Sequence, residues 1–139
     1  MIDSKNKPRI IHLDKIIDHR GNLSVVEQFK EIPFDIKRVY WVYDVPAGEY
    51  RGGHAHRSLS QFIVAAGGSF YVNTDDGKEK KTFFLNHPYT GLFIPPGIWR
   101  TLDDFSSGAL VLVMASDFFD ENDYIRDYSE FLDYTKEIL

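Results

Sequence analysis

Cysteine is absent from this chain of 139 residues, which excludes disulfides, thiolate nucleophiles and every cysteine-based metal site. Positive charge is scarce as well. Sixteen Lys and Arg face 21 Asp and Glu, a formal net charge of −5, whereas binding to a phosphate backbone wants a basic face. Nucleic acid is therefore not an expected partner. No apolar run approaches the roughly 18 residues of a membrane span. The opening Met-Ile-Asp-Ser-Lys-Asn-Lys-Pro is too polar for a secretory leader. These absences predict a soluble, cytoplasmic protein with no membrane partner. No repeat, low-complexity tract or linker interrupts it either. What is plentiful is aromatic: 11 Phe and 8 Tyr within a chain that is 43% hydrophobic. That composition belongs to a globular protein with a real core, and the length predicts one domain over residues 1–139.

Most of the chain is patterned as short strands between turns. Residues 9–13 and 22–28 are β-rich runs flanking the turn Asp18-His19-Arg20-Gly21, and 36–43 (IKRVYWVY) is dense in branched and aromatic residues. Residues 61–66, 69–73, 80–85, 91–94, 99–102 and 109–115 continue the series, with Asp75-Asp76-Gly77 as a hairpin turn. Strands this closely spaced, with no helices between them, predict a sandwich or barrel. Only the end changes period. From 121 to 139, Tyr124, Ile125, Tyr128, Phe131, Leu132, Thr135 and Ile138 recur at helical steps. The expected fold is an all-β jelly roll with a C-terminal helix, whose acidic start is solvated and whose apolar side covers a barrel opening or a subunit contact.

One segment carries the chemistry. Gly48, His54, His56, Gln61 and Gly68 fit the spacing G-x5-H-x-H-x4-E-x6-G, with Gln61 in place of Glu. Pro95-Pro96-Gly97-Ile98-Trp99-Arg100 fits P-x-G-x2-H, with Arg100 in place of His. These two patterns resemble the paired signatures of the cupin barrel, in which two histidines, the Glu and the third His hold a metal. A zinc-type site needs three or four ligands around one ion. Gln61 is a poor substitute for a carboxylate, and a guanidinium that cannot lose its proton repels a cation. No metal and no cofactor is expected.

Two residues apart on an extended strand, His54 and His56 look to the same face. Imidazole takes and returns protons near neutral pH, so the pair suits a reaction that moves protons between neighbouring carbons. Arginines across the pocket suit an anionic substrate or a developing enolate. Arg100, Arg51, Arg38 and Arg20 are the candidates. His12, His19 and His87 are expected to be structural or surface residues.

Residues 32–41 (IPFDIKRVYW), 51–56 (RGGHAH), 91–100 (GLFIPPGIWR) and 115–126 (ASDFFDENDYIR) are similar to the dTDP-sugar 3,4-ketoisomerases, over nearly the whole chain. The resemblance implies a small cupin homodimer that exchanges N-terminal strands. It implies conversion of dTDP-4-keto-6-deoxy-D-glucose to a 3-keto isomer, with a PLP-dependent aminotransferase acting next at C3 to make 3-amino-3,6-dideoxyhexoses. By similarity His54 is the base at C3 and His56 a second acid/base or orienting partner. Arg51 and Arg38 are candidates for the pyrophosphate; Arg20, Arg100, Tyr40 and Gln61 complete the expected substrate-binding set. Tyr40, Trp41 and Tyr43 are the candidate aromatic faces for thymine. In the family, Arg in the D-x-R-G turn with His after the Trp accompanies the galacto product, and Tyr with Arg accompanies the gluco product. This chain has Arg20 and Arg100, one feature of each, and Arg100 tilts the expectation toward gluco. Two other readings fit the same residues: a dTDP-4-keto sugar 3,5-epimerase, and a non-catalytic sugar-nucleotide-binding cupin.

Overall fold

A computed structural model of the protein describes residues 6–138. Among the described residues the ten strands are β1 (Arg9–His12), β2 (Arg38–Val42), β3 (Arg51–His56), β4 (Gln61–Gly67), β5 (Phe70–Asp75), β6 (Lys80–Leu85), β7 (Thr90–Ile94), β8 (Trp99–Asp103), β9 (Leu110–Ala115) and β10 (Tyr124–Ile125), followed by one α-helix, α1 (Tyr128–Glu137). They form two antiparallel five-stranded sheets, β1-β7-β4-β9-β2 and β10-β3-β8-β5-β6. The architecture is a mostly β two-sheet sandwich with a C-terminal helix.

Alternation decides which side chains fill the space between the sheets. Val111 and Val113 of β9, Ile63 and Ala65 of β4, and Phe70 and Val72 of β5 point inward into one core with Leu85, Leu92 and Ile94. The intervening residues of the first sheet are apolar too. Phe62, Val64 and Phe93 face outward, where Leu13, Ile32 and Phe34 of the long excursion between β1 and β2 cover them. A strand buried on both faces loses its alternation, and β4 is accordingly buried at its first five residues. The Phe62 ring lies on Gly91 of the neighbouring strand, so close that a Cβ there would stand 2.2 Å from it.

Three differences from the sequence expectation have physical causes. Residues 22–28 do not form a strand: the region holds only the isolated bridges Ile16↔Leu23 and Gln28↔Ile32. β propensity needs a partner edge to be expressed, and none of the described strands runs beside it. The helix is shorter than 121–139. Glu121–Asp123 is a 3-10 turn and Tyr124–Ile125 pairs with β3, so the helix starts only at Tyr128. Asp127 caps it by accepting from Ser129 N and Glu130 N. The acidic start is not wholly solvated, because Asp123 is drawn inward to a histidine. The helix buries Phe131 against Ala55 and Ile125, with Trp99 and Leu132 alongside. Burying such a ring contributes about 2–3 kcal/mol, enough to hold the C-terminal segment over the end of the second sheet. Among the described residues no helix is long and apolar enough to cross a membrane.

Candidate active site

β3 carries both histidines and lies between β8 and β10. Its pairing with β8 runs Arg51↔Leu102, Gly52↔Thr101, then shifts to His54↔Arg100. The extra residue is a bulge, and bulges re-aim side chains. Gly52 and Gly53 have φ of 93° and 65°, in the left-handed region. Gly52 also lies flat on β8, where a Cβ would stand 3.1 Å from Arg100 O and Thr101 Cα. The glycines of the Arg51–His56 motif are therefore what brings His54 opposite Arg100.

Beyond the bulge, His54 and His56 share one face, their rings edge-to-face with centroids 4.8 Å apart. Tyr124 of β10 packs on both, at 5.1 Å and 4.4 Å. His56 is fully buried, and its Nδ1 lies 3.0 Å from Asp123 Oδ2. A carboxylate oxygen accepts, so Nδ1 carries the hydrogen and Nε2 keeps its lone pair. Asp123 is held in turn by Ser58 N, which donates to Oδ1 at 2.7 Å. Among the described residues neither histidine's Nε2 has a partner, though both atoms are buried. Burial, and then the positive charge of Arg100, depress His54 to about 3 and His56 to about 2; a backbone hydrogen bond with Gly52 opposes this at His54. Both rings are neutral at physiological pH.

Arg100 is 1% exposed and, among the described residues, has no carboxylate partner. Its Nη1 donates to Gln61 Oε1 at 2.6 Å, and Nε and Nη2 donate to Ile98 O at 3.2 and 3.1 Å. Burial lowers it to about 10, so it keeps its charge. Gln61 Nε2 donates to the Tyr40 hydroxyl at 3.0 Å. Burial raises Tyr40 above the ordinary phenol value, with the charge of Arg100 opposing, and the phenol stays protonated. Among the described residues no three His, Asp or Glu side chains gather as a metal-holding group.

Two spaces that share Tyr40, Arg51, Gly52 and His54 open from these residues. An inner cavity of about 90 Å³ has Tyr40, His54, Gln61 and Arg100 on its polar side and Ile63, Val111 and Val113 on its apolar side. An outer cavity of about 330 Å³ is lined by Arg38, Arg51 and Arg126 with Tyr40, His54 and Tyr124. His54 lines both spaces, whereas His56 lies behind it and lines neither. Arg38 packs on the Tyr40 and Phe119 rings at 5.3 and 5.6 Å, and its Nε and Nη2 are buried without partners among the described residues. Arg126 is held on the Tyr124 ring at 4.1 Å and clamped by both oxygens of Glu121 at 2.7 and 2.9 Å. Three guanidiniums around one mouth, two of them with no carboxylate among the described residues to neutralise them, form a site for an anion.

The chain thus brings together His54, His56, Arg38, Arg51, Arg100, Tyr40 and Gln61. It does not bring Arg20 to them: Arg20 is exposed in its turn and bound bidentately to Asp18 at 3.0 and 2.9 Å. Trp41 and Tyr43 alternate away from the cavity and are exposed, leaving Tyr40 as the β2 aromatic that faces it. His12, His19 and His87 line neither space. Sequence reasoning missed Asp123, Tyr124 and Arg126 as neighbours of the histidines. The helical period laid over 121–139 hid them; the cap pattern Asp127-x-x-Glu130 would have moved the helix start and freed Tyr124 for β10.

A two-sheet fold holding a neutral histidine pair over an arginine-ringed mouth defines an acid–base enzyme site for an anionic substrate. The FdtA family model, WxcM-like, C-terminal, matches residues 6–136, and the chain belongs to that family. It is 45% identical to a TDP-4-oxo-6-deoxy-alpha-D-glucose-3,4-oxoisomerase of Aneurinibacillus thermoaerophilus over 94% of each chain. It superposes on a crystal structure of a 3,4-ketoisomerase from Helicobacter canadensis with a TM-score of 0.90 at 46% identity, covering 93% of this chain and 97% of that one. A histidine-to-asparagine mutant of the 3,4-ketoisomerase QdtA from Thermoanaerobacterium thermosaccharolyticum, in complex with TDP-4-keto-6-deoxyglucose, gives a TM-score of 0.92 at 38% identity, covering 94% and 95%.

Proposed function

We propose that the cavity carries out the isomerisation for which these relatives are named, with His54 as the base. The protein is a dTDP-sugar 3,4-ketoisomerase acting on dTDP-4-keto-6-deoxy-D-glucose. In a 4-ketosugar the hydrogen on C3 is α to a carbonyl and acidified. His54, neutral and facing both spaces, takes it through Nε2 and leaves an enediolate across C3 and C4. A proton returned to carbon at C4, with the hydroxyl proton passing from O3 to O4, leaves the ketone at C3. The atoms balance without any redox change. His56, locked by Asp123, supports His54 from behind as a second acid/base or orienting group. Arg38, Arg51 and Arg126 hold the diphosphate, and Arg100 and Gln61 set the field at the sugar. The observation that carries this reading is the unpartnered, buried Nε2 of a neutral His54, a residue that lines both cavities.

The finer architecture belongs to the same proposal: one cupin-type unit over residues 1–139, working as a homodimer. In the single chain β1 pairs with β7 in the register Arg9↔Phe93 to His12↔Thr90. An exchanged N-terminal strand would fill that edge equally well. The excursion after β1 exposes Ile17 at 78% and Phe29 at 70%, with Ile16 and Leu23 more than half exposed, the kind of surface a second subunit covers. It also carries Arg20, which exchange could carry to the partner's site. Arg100 after Trp99 favours the gluco product, and a PLP-dependent aminotransferase consumes it.

NMR of dTDP-4-keto-6-deoxyglucose incubated with the protein, alone and with a C3 aminotransferase, tests the reading. A 3-keto product, trapped as the 3-amino sugar, is expected. Solvent deuterium at C3 and C5 with the ketone still at C4 identifies a 3,5-epimerase instead. Binding of the nucleotide sugar without either change identifies a non-catalytic binder.

A further inference from the structure

The inner cavity is polar at one end and aliphatic at the other, and the register of its strands is the cause. On the inner face of the first sheet, Arg38, Ala115 and Gln61 stand side by side in one row. The next row is Tyr40, Val113 and Ile63, and the one after it Val42, Val111 and Ala65. Successive rows on one face lie about 6.6–6.8 Å apart. Strand β8 of the second sheet repeats the gradient: Arg100 bonds Gln61, and Leu102, two residues on, packs with Val111 and Val42. His54 is paired with Arg100 and so belongs to the polar end. Arg51, paired with Leu102, is exposed and belongs to the mouth. Val42, Leu102 and Val111 line the far end of the cavity, and their side chains offer a sugar hydroxyl no hydrogen-bonding group.

A 4-keto-6-deoxyhexose has two carbons whose hydrogens are acidified, C3 and C5, one on either side of the carbonyl. With C1 tied to the diphosphate at the arginine-ringed mouth, C4 points inward and C3 and C5 fall to opposite sides. Turning the ring over about the C1–C4 axis exchanges them. The two sides differ in polarity, because C3 carries a hydroxyl and C5 a methyl. We propose that Val42, Leu102 and Val111 are specificity-determining residues: they take the C6 methyl and thereby turn C3, rather than C5, toward His54. This rests on the ketoisomerase reading. The inverted ring would bury the C3 hydroxyl without a partner against aliphatic side chains and set the methyl against the charge of Arg100, unfavourable at both ends. Acidity does not distinguish the two carbons, since both are α to the same carbonyl. Packing at the far end of the cavity does, and it rejects a sugar whose C6 carries a hydroxyl for the same reason.

The test has two readouts on wild type and Val111→Thr. Threonine keeps the shape of valine and sets a hydroxyl where the methyl would lie. The first readout is calorimetric affinity for dTDP-6-deoxy-D-glucose and dTDP-D-glucose, which lack the ketone and differ by one oxygen. A hydrophobic pocket rejects an added hydroxyl by up to about 10²-fold, so the wild type is expected to prefer the 6-deoxy sugar by at least about tenfold. In Val111→Thr that preference is expected to fall below about threefold. The second readout is NMR of dTDP-4-keto-6-deoxyglucose turned over in D2O. The wild type is expected to form the 3-keto product with no deuterium at C5 beyond a protein-free control, and Val111→Thr to admit deuterium at C5. Should Val111→Thr fail to melt cooperatively, Val42→Thr on the edge strand β2 replaces it with the same expectations. Equal wild-type affinities overturn the proposal, as does a folded variant that keeps the wild-type preference and leaves C5 unexchanged; in either case the 3-keto product still upholds the ketoisomerase reading. A wild type that makes no 3-keto product overturns that reading and this proposal with it.

Discussion

Lowering the pH tests the histidine site without altering the chain. An ordinary histidine titrates at about 6.5, and at pH 5 only about 3% of it is neutral. His54 is held at about 3 by burial and the charge of Arg100, and at pH 5 about 99% of it remains a base. Between pH 7 and 5 an unperturbed base would lose activity about 25-fold, whereas this site should lose less than about twofold. The quantity to follow is kcat/KM, which reports the free enzyme, by NMR of initial rates from about pH 4.5 to 8. Circular dichroism at each pH keeps unfolding apart from titration. A half-maximum of kcat/KM near 6.5 in a protein that is still folded would refute the argument, since it would mean that the base is not the half-buried His54 or that the site admits water freely.

Stability should follow the opposite logic from activity. Because folding depresses His54 and His56 to about 3 and about 2, the unfolded chain binds more protons below about 6.5. Their contribution is complete above that value and falls as pH drops through the window toward 3; urea midpoints at pH 7, 6, 5 and 4 should decline in that order. Asp123→Asn can turn its amide toward His56 Nδ1 and invert the tautomer. Losing a charge-assisted bond of about 1.5–3 kcal/mol lowers kcat about 10- to 150-fold, with KM little changed in steady-state assays. Arg38→Ala removes the two unpartnered donors at the mouth and should weaken dTDP binding about tenfold or more by calorimetry. Gly52→Ala meets both a φ of 93° and the backbone of β8; a loss of about 1–3 kcal/mol in urea unfolding is expected.

Most of the strands stand close to where the β-rich runs put them, and residues 80–85 match β6 end to end. That success has a local cause: alternation and turn residues are written in neighbouring positions. The failures are non-local. Residues 22–28 have the composition of a strand, but pairing is a property of two segments, and among the described residues this one has only isolated bridges. Tyr124 satisfies a helical period and yet forms β10, because the edge of β3 is available to it. A period cannot express that competition.

By itself the sequence determined the histidine pair, the glycines beside it and the replacement of two ligand positions by Gln61 and Arg100, because these are matters of residue type and spacing. It also carried the family, through motifs that run over nearly the whole chain. Tertiary structure alone decided which groups those residues face. A bulge at Gly52 and Gly53 set His54 against Arg100, and a turn 67 positions later brought Asp123 to His56. Burial made both imidazoles neutral. Charge and proton affinity depend on surroundings assembled from distant parts of the chain, and no spacing in a sequence specifies them.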